Sequence, residues 1–114
     1  MVINQMRAAI ICVVVFTGIL GLPLAAETAE DGRHHIAIRD FAFVPAHIDI
    51  RAGDAITWTN EDDTQHSAWD MNDRFDTGIL AQGKTATFVF SKPGTYYYRS
   101  RPYGETRGTI TVTR

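Results

Sequence analysis

The chain has a single cysteine, Cys12, and it sits inside a nearly unbroken apolar run from Ala8 to Ala26. Beyond that run there is no thiol. The folded part therefore has no disulfide and no thiolate ligand, although export would permit disulfides. Basic charge is scarce as well. Once Arg7 is set aside with the apolar leader, ten Lys and Arg stand against thirteen Asp and Glu, which argues against a nucleic-acid surface. Glycine-rich phosphate loops, a Ser/His/Asp constellation and paired zinc-type ligands are also missing, so nothing in the sequence argues for an enzyme. No segment after the leader keeps a helical apolar period.

What is present at the start is a pattern. MVINQMR carries one positive charge, AAIICVVVFTGILGLPLAA is apolar, and ETAEDGRHH is abruptly polar. A basic start, an apolar stretch and small residues at the end make a secretory signal peptide over residues 1–26, with cleavage after Ala26. The apolar stretch approaches the roughly 20 residues that span a bilayer. Gly18, Gly21 and Pro23 near its end favour cleavage over retention as an anchor. Residues 27–33 then read as a flexible lead-in and residues 34–114 as one domain, located in the periplasm or otherwise exported and off the membrane. A domain this small, without staples, depends on its apolar core.

Residues 34–114 are rich in short alternating segments. HHIAIRD places Ile36 and Ile38 on one face, AITWTN does the same with Ile56 and Trp58, TATFVF with Phe88 and Phe90, and TITVT with Ile110 and Val112. FAFVPAHIDI has Pro45 at its centre, so it reads as a bend rather than one straight strand. RAGD and SKPG are turns, and HSAWDMNDRFDTGILAQGK is irregular. About seven or eight strands with frequent turns predict an all-β fold, a small antiparallel sandwich or barrel.

The order of motifs narrows this. FAFVP, then RAGDAITWTNED, then His66, then FDTGILAQGK, then FVFSKPGTYYY resembles the plastocyanin and amicyanin branch of the cupredoxins, from about Ile36 to Val112. The resemblance implies a Greek-key β-sandwich of about eight strands, and an electron-transfer role with copper as cofactor. It also implies a first copper ligand shortly after the W-x-N-x-D loop, where His66 stands. The other three family ligands, in the order Cys, His and Met, come from the loop after the Y-x-Y strand. Laid over YYYRSRPYGETRG without a gap, those positions fall on Ser100, Tyr103 and Thr106. A type 1 centre needs a thiolate, two imidazoles and a weak thioether. Ser is a hard neutral donor, the Tyr phenol titrates near 10, and Thr has no sulfur. The frame is thus kept while three of its four ligands are replaced.

His66 with Met71, the only methionine after the leader, and the face of Trp69 would make a Cu(I) site; the same Trp69 and Met71 could instead fill the end of the sandwich. His66 could also be a structural residue hydrogen-bonded to Asn60 or a loop carbonyl. His34 and His35, adjacent on a strand, point to opposite faces and cannot share one site, and His47 reads as exposed. Glu61, Asp62 and Asp63 read as a solvated loop rather than a calcium site. The loop also carries Arg99, Arg101 and Arg107 beside Tyr103, residue types found at binding hot spots. These predict a surface for a carboxylate-rich protein partner in the periplasm or an anionic ligand, and, compatibly with it, a clasp in which the arginines pair with Glu61, Asp62, Asp63 or Glu105.

Overall fold

The computed structural model describes residues 31–114, so the signal peptide expected over residues 1–26 and most of the lead-in lie outside the described residues. Eight strands follow: β1 Arg33–Arg39, β2 Ala42–Val44, β3 His47–Arg51, β4 Asp54–Asn60, β5 Trp69–Asp70, β6 Thr85–Phe90, β7 Gly94–Arg99 and β8 Arg107–Thr113. They form two four-stranded sheets, ordered β2-β1-β4-β6 and β3-β8-β7-β5. The result is the expected all-β sandwich, with one correction. β1 runs parallel to β4, and β3 parallel to β8, so both sheets are mixed rather than antiparallel throughout. Connections that cross between the sheets bring non-consecutive strands side by side, and such neighbours can point the same way.

The alternation explains the core. Ile36 and Ile38, Ile56 and Trp58, Phe90, Tyr96 and Tyr98, and Ile110 and Val112 come from five strands and form one buried cluster between the sheets. Burying each such side chain stabilises by roughly 1.5–3 kcal/mol. Trp58 is the hub: it stacks on Phe75 with ring centroids 5.2 Å apart and meets Tyr98 edge-on at 5.6 Å. The Tyr98 hydroxyl is buried without a hydrogen-bond partner. Burial pushes its phenol far above the usual range, only partly opposed by the nearby Trp58 indole N–H.

Pro45 does what the sequence predicted. The chain bends at a cis Val44–Pro45 peptide, and β2 and β3 on either side belong to different sheets. The irregular segment after His66 is tied down by Asp70, whose carboxylate is fully buried. It accepts hydrogen bonds from Arg74 Nε and Nη2 at 2.7 and 3.0 Å and from the amides of Asn72 and Arg74. Burial pushes this carboxyl up, but the Arg74 guanidinium and the two amides outweigh it and hold the group below its ordinary value. At the strand starts the histidines find separate partners. His34 Nε2 lies 2.9 Å from Asp54, His35 Nε2 lies 2.7 Å from Thr59 Oγ1, and the exposed His47 ring lies 3.0 Å from Asp49.

Candidate functional site at the loop end of the sandwich

Three segments meet at one end: the β1–β2 turn, the loop from Asn60 to His66, and the β7–β8 loop. Asn60 shapes the second of these. Its side-chain amide donates to the carbonyls of Thr64 and Leu80, both at 2.8 Å, and its oxygen accepts from the Asp62 amide at 2.9 Å. His66 is then fixed by paired backbone hydrogen bonds with Leu80, at 3.2 and 2.7 Å.

The His66 ring is wholly buried. Nδ1 lies 3.2 Å from Ser100 Oγ, and Nε2 lies 2.9 Å from Asp62 Oδ2. Phe41 meets the ring edge-on at 5.4 Å, and Tyr103 packs on it at 5.2 Å. The β7–β8 loop is held by its own backbone, through Ser100 N to Thr106 O and Thr106 N to Tyr103 O, each at 2.9 Å. The Thr106 hydroxyl turns away and donates to the Phe41 carbonyl at 2.7 Å. Of the three loop positions, Ser100 and Tyr103 meet the His66 ring while Thr106 is tied to Phe41, and together they form a hydrogen-bonded and aromatic plug.

A copper ion fits this donor set poorly. The imidazole itself is presented as a ligand would be, with Nδ1 toward the loop and Nε2 backed by a carboxylate, the usual arrangement behind a metal-bound histidine. What Nδ1 meets is a neutral hydroxyl, beside a phenol and a threonine already donating elsewhere. No thiolate, second imidazole or thioether stands there, so the residues present do not make a type 1 centre. The residues of the Cu(I) alternative have other contacts. Trp69 donates from Nε1 to Asp73 at 2.6 Å, and its ring carries the guanidinium groups of Arg101 and Arg99 at 4.4 and 5.1 Å. Met71 is exposed, so it does not fill the sandwich end, and the hydrogen bonds and ring contacts of His66 go to Asp62, Ser100, Phe41 and Tyr103 instead.

The expected clasp also differs in its partners. Arg101 pairs with Asp76, while Glu61 takes Arg39 at 3.1 Å and Asp62 takes His66. Arg107 donates from Nε to the Gly104 carbonyl at 2.9 Å. Asp76 lies in the irregular segment, which pairs with Trp69 through an isolated bridge and so is carried up beside the loop.

Two residues central to the site hold roles that the sequence did not predict. Asp62 looked like one member of a solvated acidic run. In the structure it accepts from the amides of Asp40 at 2.7 Å and Phe41 at 3.0 Å while holding His66. Asp40 and Phe41 have left-handed φ of 53° and 58°, a conformation unfavourable to residues with a Cβ, and Asp62 is the group that holds this turn. Its spacing of four from His66 was the available signal. Phe41, half-exposed over His66, had none.

Burial raises the Asp62 carboxyl, but the Phe41 and Asp40 amides and the His66 ring outweigh it and keep it below the ordinary value. A lowered folded value means that the ionised group stabilises the fold above the unfolded carboxylate range and loses that contribution as pH falls through the folded value. Asp62→Asn is expected to lower stability at neutral pH by about 1–3 kcal/mol. The gap to the native protein should close on acidification. Urea unfolding across the acid range measures both.

The fold is a Greek-key β-sandwich of two four-stranded sheets, with the β7–β8 loop closing one end. The chain belongs to the cupredoxin family: the model of the cupredoxin-like domain matches residues 9–112. Amicyanin-alpha from Methylorubrum extorquens is 29% identical over 98 residues, covering 77% of this chain and 78% of that protein. Among solved structures, an oxidized amicyanin variant superposes with a TM-score of 0.66 at 24% identity, covering 77% of this chain and 88% of that one. A purple cupredoxin from Nitrosopumilus maritimus also superposes at 0.66 and 24% identity, covering 70% and 99%. The copper-containing nitrite reductase of Thermus scotoductus superposes at 0.68 and 24% identity over 72% of this chain, which spans only 22% of that enzyme. The family is one of copper and electron-transfer proteins.

Proposed function

We propose that this chain is an exported cupredoxin-fold module that engages a protein partner with the loop end of its sandwich, and that it does so without type 1 copper chemistry there. One observation carries the reading: His66 is bound to Ser100 and Asp62 and packed by Tyr103 and Phe41, while Thr106 is tied to Phe41, so the loop end closes as a hydrogen-bonded and aromatic plug. Phe41 and Tyr103 leave the outer side of the plug exposed, beside the arginines of the loop, a composition suited to protein contact. The relatives' copper and electron-transfer chemistry is, on this reading, a property of the fold family that this chain's side chains have left.

A photo-activated cross-linker placed at Tyr103 tests it in the producing cell. Adducts with a defined exported protein are expected from Tyr103 and not from Thr87, which faces outward on the edge strand β6. No adduct from Tyr103, or the same adducts from Thr87, would remove the docking reading.

A further inference from the structure

We infer that the cleft between the β1–β2 turn and the β7–β8 loop binds carboxylates on an acidic segment of the partner; this rests on the docking reading above and names the chemistry of what docks. Arg99 and Arg107 are direct partners across the β7–β8 ladder, so their side chains leave the same face of the sheet side by side. Like charges set opposite each other in a ladder are destabilising, and among the described residues no carboxylate forms an ion pair with either. Glu61 is taken by Arg39, Asp62 by His66 and Asp76 by Arg101. Glu105 shares the cleft but makes no ion pair among the described residues. Arg99 itself has no carboxylate partner among them.

Both guanidinium groups are nonetheless held in place. Arg99 lies over Trp69 and against Gly104, where an added Cβ would stand 3.6 Å from its Nη1. Arg107 is anchored through Nε to the Gly104 carbonyl, which leaves its terminal nitrogens for another acceptor. The two line a cleft of about 620 Å³ walled by Phe41 and Tyr103. A pair of fixed planar forks beside apolar rings suits carboxylates, which they can bind bidentately. Phe41 and Tyr103 are exposed and line the same cleft, so the ligand that covers them is an acidic chain with an aromatic or aliphatic residue rather than a small free anion. The chain's own net charge of −2 and Glu105 at the cleft disfavour a denser polyanion such as nucleic acid.

The test titrates the exported chain with the peptide acetyl-Asp-Glu-Phe-Glu-Asp-amide and with its Asn/Gln counterpart, following ¹⁵N NMR shifts. Shifts are expected at the Nε–H of Arg99 and Arg107 and at the Tyr103 and Gly104 amides, with affinity falling as salt is added. Arg99→Gln and Arg107→Gln should each weaken binding roughly tenfold. Arg107→Gln should leave unfolding by urea unchanged or shifted to higher urea, because it removes a like-charge pair. The proposal falls if the carboxamide peptide binds equally, if acetate or inorganic phosphate saturates the site as tightly as the acidic peptide, or if the variants bind like the native chain. Marked destabilisation by Arg107→Gln would instead make the arginines a structural clasp. If Tyr103 cross-links a partner through a segment without carboxylates, the docking reading survives and this one does not.

Discussion

Substituting Ser100→Cys, Tyr103→His and Thr106→Met together is expected to give a chain that takes up one copper and shows an intense visible charge-transfer band absent from the native protein. The argument is geometric. His66 already presents Nδ1 to residue 100 at 3.2 Å, and Asp62 already holds the far side of the ring at 2.9 Å. A sulfur at 100 would stand on the atom that Nδ1 now meets. An imidazole at 103 would replace a phenol packed 5.2 Å from the His66 ring, and residue 106 is tied by its amide to the carbonyl of 103. With a thiolate and two imidazoles the donor set changes from hard and neutral to the soft one that copper prefers, and affinity should rise by many orders of magnitude. Ser100→Cys alone supplies two neighbouring donors and should bind copper measurably but more weakly than the triple variant. Absorption and stoichiometry on a copper titration measure both. A triple variant that folds, judged by cooperative unfolding, yet takes up no copper would show that the frame is not in ligand register.

Gly108→Ala is expected to be among the most damaging single changes in the domain. Gly108 sits on β8 directly opposite Tyr98 on β7. A Cβ there would stand 2.7 Å from Tyr98 Cε1 and closer still to Cζ and the hydroxyl oxygen. Tyr98 has nowhere to go, since it is fully buried against Trp58, Phe43 and Phe75. Overpacking of this kind costs about 3 kcal/mol or more when neighbours cannot shift. Because β8 leads directly out of the ligand-type loop, the loop end should loosen with it. Gly53→Ala is the control: its φ of 99° strains a side chain, but nothing lies within 4 Å of the added atom. It should cost only about 1–2 kcal/mol, through backbone conformation. Equal midpoints for the two variants in urea unfolding would refute the packing account of Gly108.

The strands were legible because one face of each is buried and the side-chain period is two. Ile56 with Trp58 and Ile110 with Val112 mark their faces without any knowledge of neighbours. The loop's place was legible because its length between Tyr98 and Gly108 needs no gap against the family pattern. The parallel pairings were not, since nothing in β1 or β4 alone says which non-consecutive strand lies beside it. The ion pairs were hidden for a similar reason. Arg101 finds Asp76 across 25 residues through the fold of an irregular segment, whereas the expected partners were Glu61, Asp62, Asp63 and Glu105. Asp62 illustrates the other difficulty. Among three adjacent acids only the backbone path decides which one turns inward, and here the left-handed turn at Asp40 and Phe41 supplies the amides that draw it in. Trp69 and Met71 looked like companions of His66 by proximity in sequence. The short strand β5 pairs Trp69 with Arg99 instead, and the ring lies under guanidinium groups.

The most direct measurement is a titration of the purified native chain with Cu(II) and with Cu(I), followed by absorption and by metal content after desalting. The account predicts no intense visible band, no tight stoichiometric copper, and unfolding that copper leaves unchanged. One tightly held copper per chain with a strong charge-transfer band would contradict it, and Cu(I) binding abolished by Met71→Ala would transfer the function to His66, Trp69 and Met71.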